Sequence, residues 1–509
     1  MHIFGGTALA SIAFVASLAT AAAAPAPAPY GHVLLLNIDG MHSLDLANQV
    51  AAHPNGALAA LTRTGVVYPD AWAPIISDSF PGLVAQVTGG GPRTTGIYYD
   101  DSYDRTLFAP GSDCKGLPGT EVAFASDIDI DPKRQDAGGT IGRPMTQIDP
   151  KKLPLRKTAE GCTPVYPHDY LRVNTLFEVV HAHGGRTAWS DKHPAYEWLG
   201  GPSGQGLDEL YALEQDALIP GTKVRTTGSF KAERDFDEMR LKALLNQMKG
   251  LDGTGAAKVG VPTMFGMNFQ AVSVGQKLPG AGPGDAADQK GGYADASGTP
   301  NDGLAAQFDY VDAALGELMA GLKDNGLADS TLVIVSAKHG QSPIDPGTFQ
   351  PTDDKLYEKI PGYAFHVADD GALVWLRPEE RAEKLRSAVD FVEQNLKPLG
   401  VGQVLTPEAL IVLFADPARD GRVPDILVGT NPGVVYTSGK KIAEHGGLNV
   451  NDRNVLMLVS NPALKPSSVT GTVATAQIAP TILKALGYAP EELQAVLAEH
   501  TPSLPGLPF

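Results

Sequence analysis

A serine, a few carboxylates, two histidine-glycine motifs and several lysines carry the chemistry that this sequence could perform. Ser77-Asp78-Ser79-Phe80-Pro81-Gly82-Leu83 is the most informative stretch. Pro81 suits the first turn of a helix, where its missing N–H costs nothing. The helix is predicted to run to about Thr88 and to stop at the glycines Gly89 to Gly91. Ser79 then stands at the helix N-terminus, where free N–H groups and the dipole favour an alkoxide or a bound phosphate. Taken alone, Ser79 also reads as a simple N-cap. Asp39-Gly40 follows a buried apolar run, and His339-Gly340 follows another. His445-Gly446-Gly447 comes later in the chain. Each of these alone also reads as a turn cap or a loop histidine. Their order and their strand contexts, taken together, point to one site.

Those residues need strands to position them. His32 to Ile38 is a continuous apolar run, as expected of a parallel strand buried on both faces. A helical stretch through Leu58 and Leu61 and a short strand at Val66 to Tyr68 follow. Further on, strands are predicted at Arg186 to Ser190, Thr263 to Asn268, Thr331 to Ala337, Ala372 to Leu376, Asp425 to Gly429 and Asn454 to Ser460. Helices are predicted at Asn174 to His183, Ser229 to Lys249, Leu304 to Lys323, Glu379 to Leu396 and Thr475 to Leu486. Alternating strands and helices imply an α/β fold, a mostly parallel central sheet with helices on both faces. Ligands bind such sheets at the carboxyl ends of the strands. Asp39, Asn268 and His339 fall at or just beyond such ends. Asp191-Lys192-His193 does the same; Asp191 and His193 could ligate a metal or line a substrate pocket, and Lys192 could hold an anion. An ordinary polar loop is the other reading of that stretch. Asp345, Lys277 and Arg93 are weaker candidates.

Composition bounds the rest. Forty basic and 57 acidic residues give a formal net charge of -17, which argues against binding a nucleic-acid duplex. Gly5 to Ala24 is apolar and Ala-rich, with small residues at Ala22 and Ala24, and reads as a signal peptide over residues 1–24. The mature domain would span residues 25–509, without a membrane span, in a secreted or periplasmic setting. The two cysteines, Cys114 and Cys162, are expected to pair there. Inserted lobes are expected at about residues 99–166 and 345–420, because periodicity lapses in the first and a new strand-helix pair opens in the second. The sequence carries no signal for the oligomeric state.

Several stretches resemble the type I phosphodiesterase/nucleotide pyrophosphatase branch of the alkaline-phosphatase superfamily. They include Asn37-Ile38-Asp39-Gly40-Met41, Ser79-Phe80-Pro81, Pro92-Arg93-Thr94-Thr95-Gly96-Ile97, Asp329 to Ser336, His339-Gly340, His445-Gly446-Gly447 and Gln477-Ile478-Ala479-Pro480-Thr481. The resemblance implies an alkaline-phosphatase-like fold and two divalent metals, usually zinc. It makes Ser79 the nucleophile and Asp39, His339 and His445 metal ligands. It also exposes departures. Lys338 stands where the family has the Asp of an Asp-His pair, Asn268 where a second Asp is expected, and Val272 where a His would follow. An ammonium ~4 Å from a dication is repelled by ~8 kcal/mol at an effective dielectric of about 20. One zinc rather than two, or none, is therefore expected: either Lys338 acts in place of a cation beside Asp39 and Ser79, or it points away and leaves a single-metal site with Asp39, His339 and a carboxylate from elsewhere.

The function this implies is hydrolysis of a phosphate ester or diester through a phospho-Ser79 intermediate, on a small anionic phosphorylated substrate. Alternatives are a metal-depleted binding protein of the same fold, or a sulfatase or phosphonate hydrolase. A sulfatase of the usual kind needs an Arg in the nucleophile motif, and Ser79-Phe80-Pro81-Gly82-Leu83 has none.

Overall fold

The run Val33 to Leu36 becomes the middle strand of a large sheet, paired on both sides and buried on both faces. The structure, a computed structural model, describes residue 2, residues 29–439 and residues 441–509. Apart from residue 2, the expected signal segment lies outside the described residues.

In chain order, β1 (His32–Ile38) leads into helices α1 (Ser43–Ala52) and α2 (Ala57–Arg63), then β2 (Gly65–Val67) and α3 (Ser79–Thr88). After an irregular stretch come α4 (Leu176–Ala182), β3 (Thr187–Asp191) and β4 (Glu209–Ala212). Next are α5 (Phe230–Met248), β5 (Met264–Phe269), α6 (Ala271–Lys277), α7 (Asp302–Asp324) and β6 (Thr331–Ser336). The chain continues through β7 (Tyr363–Ala368), β8 (Gly371–Leu376), α8 (Arg381–Gln394), β9 (Val401–Leu405) and β10 (Ile426–Thr430). It closes with β11 (Met457–Ser460), β12 (Ser467–Ser468) and α9 (Ile478–Ala485).

The large sheet has eight strands in the order β12-β2-β11-β6-β1-β5-β3-β4. The five strands β6, β1, β5, β3 and β4 are mutually parallel, and β11 runs antiparallel to its neighbours. This is the expected mixed α/β architecture. Along β1 the side chains alternate. Val33 and Leu35 pack into a core with Phe80, Leu83 and Val87 of α3, whereas Leu34, Leu36 and Ile38 pack against α5 and α7. Odd-numbered residues of β1 therefore point towards α3, the helix that begins with Ser79.

Two details differ from the sequence reading. The predicted core strand at Asp425 to Gly429 forms as β10, but it joins a separate four-stranded sheet, in the order β7-β8-β10-β9, that α8 covers. A run of apolar residues marks a buried strand without saying which sheet buries it. The region of residues 99–166 contains two short hairpins and several 3-10 turns, joined by the expected Cys114–Cys162 disulfide with Cα atoms 5.9 Å apart.

Helix α3 approaches the end of β6 closely at Gly82. A Cβ on Gly82 would lie 2.2 Å from the Lys338 backbone oxygen. Gly82→Ala should therefore force α3 and the Lys338 segment apart. We expect a loss of about 1–3 kcal/mol of stability, read as a lowered urea midpoint.

Candidate active site

Sheet register assembles the site. Asn37 pairs with Asn268 on one side and with Ser336 on the other. Two residues beyond that row, Asp39, Gln270 and Lys338 leave their strands side by side, on the face that α3 covers. Met267 pairs with Ser190, which brings Asp191 level with Asn268.

Asp39 is the hub. It is fully buried, and its Oδ2 accepts hydrogen bonds from Asn268 Nδ2 at 3.0 Å and Gln270 Nε2 at 2.5 Å. Lys338 Nζ lies 3.1 Å from the same oxygen, and Lys192 Nζ lies 3.7 Å from it. Burial works to raise the Asp39 pKa. Lys338, His339 and Lys192 outweigh it and hold the carboxyl below the usual carboxylate range. Lys338 is itself fully buried and donates to Tyr196 Oη at 3.0 Å, with its ammonium 4.9 Å from the centre of that ring.

Ser79 is placed as the sequence predicts, at the first position of α3. Its Oγ is 3.3 Å from His339 Nε2 and accepts a hydrogen bond from Lys192 Nζ at 3.1 Å. The helix cap is Asp78, not Ser79: Asp78 Oδ2 accepts from Phe80 N. This corrects the expectation of free N–H groups at the helix tip. The Phe80 N–H is taken by Asp78 and Pro81 has none, so the dipole remains with fewer free N–H groups than expected. His339 Nδ1 donates to the Gly340 carbonyl at 2.8 Å, which leaves the lone pair on Nε2 facing Ser79. Burial depresses the His339 pKa to about 3, so the ring is neutral near pH 7.

His445 packs against His339 with ring centroids 3.9 Å apart and ring planes tilted by 39°. Burial, and then its cationic neighbours, push its pKa well below the ordinary value. Asp369, Glu444 and His445 form a cluster that could hold a metal ion, with ligand atoms within 4.8 Å of one another. Glu444 is already ion-paired, with Lys277 at 2.7 Å and with Lys441. Asp369 accepts from Tyr99 Oη at 2.6 Å.

The remaining sequence candidates divide. Asn268 and Asp191 are fully buried and hydrogen-bonded to each other at 3.3 Å, so both lie behind Asp39. Asp191 also accepts from Trp189 Nε1 at 2.8 Å. His193 turns to Glu214, 2.8 Å away. Val272 packs in the apolar core on the far face. Asp345 caps a 3-10 turn, and Arg93 is exposed. Sequence reasoning missed Gln270, Tyr196, Glu444 and Lys441. Gln270 had a signal, since it lies two residues past Asn268 on the same strand exit.

A divalent ion at Asp39, which the resemblance implies, does not fit these residues. Asp39 Oδ2 already accepts from two amides and faces the Lys338 and Lys192 ammonium groups, so only the buried Oδ1 lacks a partner. The position left by the missing Asp is filled by the Lys338 side chain, which brings a positive charge of its own.

Fold and site together define an alkaline-phosphatase-like protein with a serine beside histidine and lysine. Residues 33–451 match the type I phosphodiesterase/nucleotide pyrophosphatase family, and the chain belongs to that family. It is a phosphoric ester hydrolase. Among solved structures, murine ectonucleotide pyrophosphatase/phosphodiesterase 5 is 14% identical, with a TM-score of 0.53 over 90% of this chain and 95% of that one. Its human counterpart has a TM-score of 0.51 at 14% identity, covering 90% and 95%. The alkaline phosphatase PafA has a TM-score of 0.59 at 14% identity, covering 91% and 96%. At such identity these likenesses speak to the fold. No curated protein sequence matches the chain.

Two stability experiments follow from the buried charges. Asp39→Asn leaves buried Lys338 with only Asp191, 3.9 Å away, as counter-charge and should cost about 3–5 kcal/mol in urea unfolding. The double variant Asp39→Asn/Lys338→Met should recover most of that loss. His339 titrates near 6.5 when unfolded and at about 3 when folded. As pH falls through that window, the unfolded chain takes up a proton that the folded one refuses, so stability falls. His339→Gln should flatten that part of the stability profile.

Proposed function

We propose that this phosphoric ester hydrolase works through a covalent phospho-Ser79 intermediate on small anionic phosphate esters or diesters. The observation that carries the reading is the position of Ser79 Oγ, within 3.3 Å of a neutral imidazole nitrogen and 3.1 Å of an ammonium. His339 Nε2 takes the Ser79 hydroxyl proton as Oγ attacks phosphorus. The bond from phosphorus to the leaving oxygen breaks, and that oxygen takes the proton held by His339. Water then attacks the phosphoserine, the neutral His339 accepts its proton, and the bond from phosphorus to Oγ breaks as that proton passes to Ser79. Lys192 stabilises negative charge on Oγ, and Lys338 holds Asp39 in place without touching the substrate. Asn268 and Asp191 fix the positions of these groups from behind, while His193 pairs with Glu214.

Nucleotides are a fitting substrate class, since an inactive variant of the murine neighbour was solved in complex with AMP. No helix among the described residues is long and apolar enough to cross a membrane. The disulfide and the Ala-rich leader support an exported enzyme.

Turnover of p-nitrophenyl phosphate and bis(p-nitrophenyl) phosphate tests the reading. Ser79→Ala should lower kcat by at least ~1000-fold. Acid quenching during turnover should trap a phosphoryl group on the peptide that contains Ser79, detected by mass spectrometry. Turnover that survives Ser79→Ala would sink the mechanism. The low His339 pKa predicts that kcat/KM keeps its value as pH drops through 6.5, with no loss from protonation of His339 in that range.

A further inference from the structure

The two divalent metals that the family resemblance implies would bring four positive charges. The structure supplies the same number by other means. Lys338 and Lys192 surround Asp39 at 3.1 and 3.7 Å. On the other side of the paired histidines, Lys277 and Lys441 grip Glu444, one on each carboxylate oxygen. Glu444 is almost fully buried, and burial works to raise its pKa, but the two lysines outweigh it and hold it ionised at about 2. Glu444 Oε2 lies 4.0 Å from His445 Nε2, His445 packs against His339, and His339 reaches Ser79. Contacts therefore run unbroken from Lys277 to the nucleophile.

The two lysine pairs differ in access. The side chain of Lys338 is fully buried, whereas those of Lys277 and Lys441 are 18% and 50% exposed. An ammonium has three donors, and Glu444 occupies one on each lysine. Each lysine therefore keeps two further donors on a partly exposed side chain.

We infer that Lys277 and Lys441 form an anion-binding subsite for the substrate phosphate, and that the four lysines replace the charge of two dications in a metal-independent enzyme. The substrate class rests on the reaction proposed for Ser79; the binding of an oxyanion does not.

Isothermal titration with inorganic phosphate, on protein stripped with a chelator and checked by elemental analysis, tests this directly. Stripped wild type should bind phosphate. Lys277→Met/Lys441→Met should weaken that binding by at least ~10-fold, and Lys277→Arg/Lys441→Arg should restore much of it. Because the methionine variant strands Glu444, Lys277→Met/Lys441→Met/Glu444→Gln keeps the local charge balanced and should show the same loss. Ester turnover should survive stripping. Phosphate binding or turnover that disappears on stripping and returns with zinc would overturn the inference, as would unchanged binding in the methionine variants. Stripped protein that binds phosphate but turns over no ester would count against the Ser79 reaction alone.

Discussion

The pair of charges between Lys338 and Asp39 governs this molecule's site. Both side chains are fully buried, and neither could stay ionised there alone. Water would solvate each of them better, so the pair survives only with further hydrogen bonds around it. Asn268 and Gln270 supply two on the acidic side, and the Tyr196 hydroxyl supplies one on the basic side. Lys192 and His339 lie 3.7 and 3.8 Å from the Asp39 carboxylate, and Asp191 lies 3.9 Å from the Lys338 ammonium. Ser79 meets Lys192 and His339 where they converge.

An ammonium is not a metal ion in another form. A divalent cation polarises phosphoryl oxygens and lowers the pKa of bound water. A charged lysine offers a unit charge and three donors but no acceptor lone pair, so another group must accept the proton. That division agrees with a histidine kept neutral by burial and oriented by a backbone carbonyl. It also explains why one lysine is sealed behind the carboxylate while others keep part of their surface free. The sealed one balances charge inside the protein, and the others remain available to an anion.

Much of the fold could be read from the chain. The continuous apolar runs at Val33 to Leu36 and Leu332 to Val335 form neighbouring parallel strands because both faces must be covered. Gly82 looked unremarkable in sequence, yet it lets α3 settle onto the Lys338 backbone, a contact of residues far apart in the chain. The strand at Ile426–Thr430 was legible as a strand, but its apolar pattern would suit either sheet. Asp78 was passed over as a cap because Ser79, also a good cap residue, stands next to it.

By itself the sequence determined the residue types at the strand ends. It set a serine at a helix start, an aspartate after the first strand, a lysine in place of an expected carboxylate, and two histidine-glycine turns. Local pattern carries that information, because periodicity and turn residues act over a few positions. Only the tertiary structure decided which way the lysine points, that Gln270 and Tyr196 complete its surroundings, and that Glu444 is held by Lys277 and Lys441. Those outcomes follow from register between strands and from the balance between burying charge and pairing it. Both are properties of segments brought together across hundreds of residues, so no local stretch of sequence encodes them.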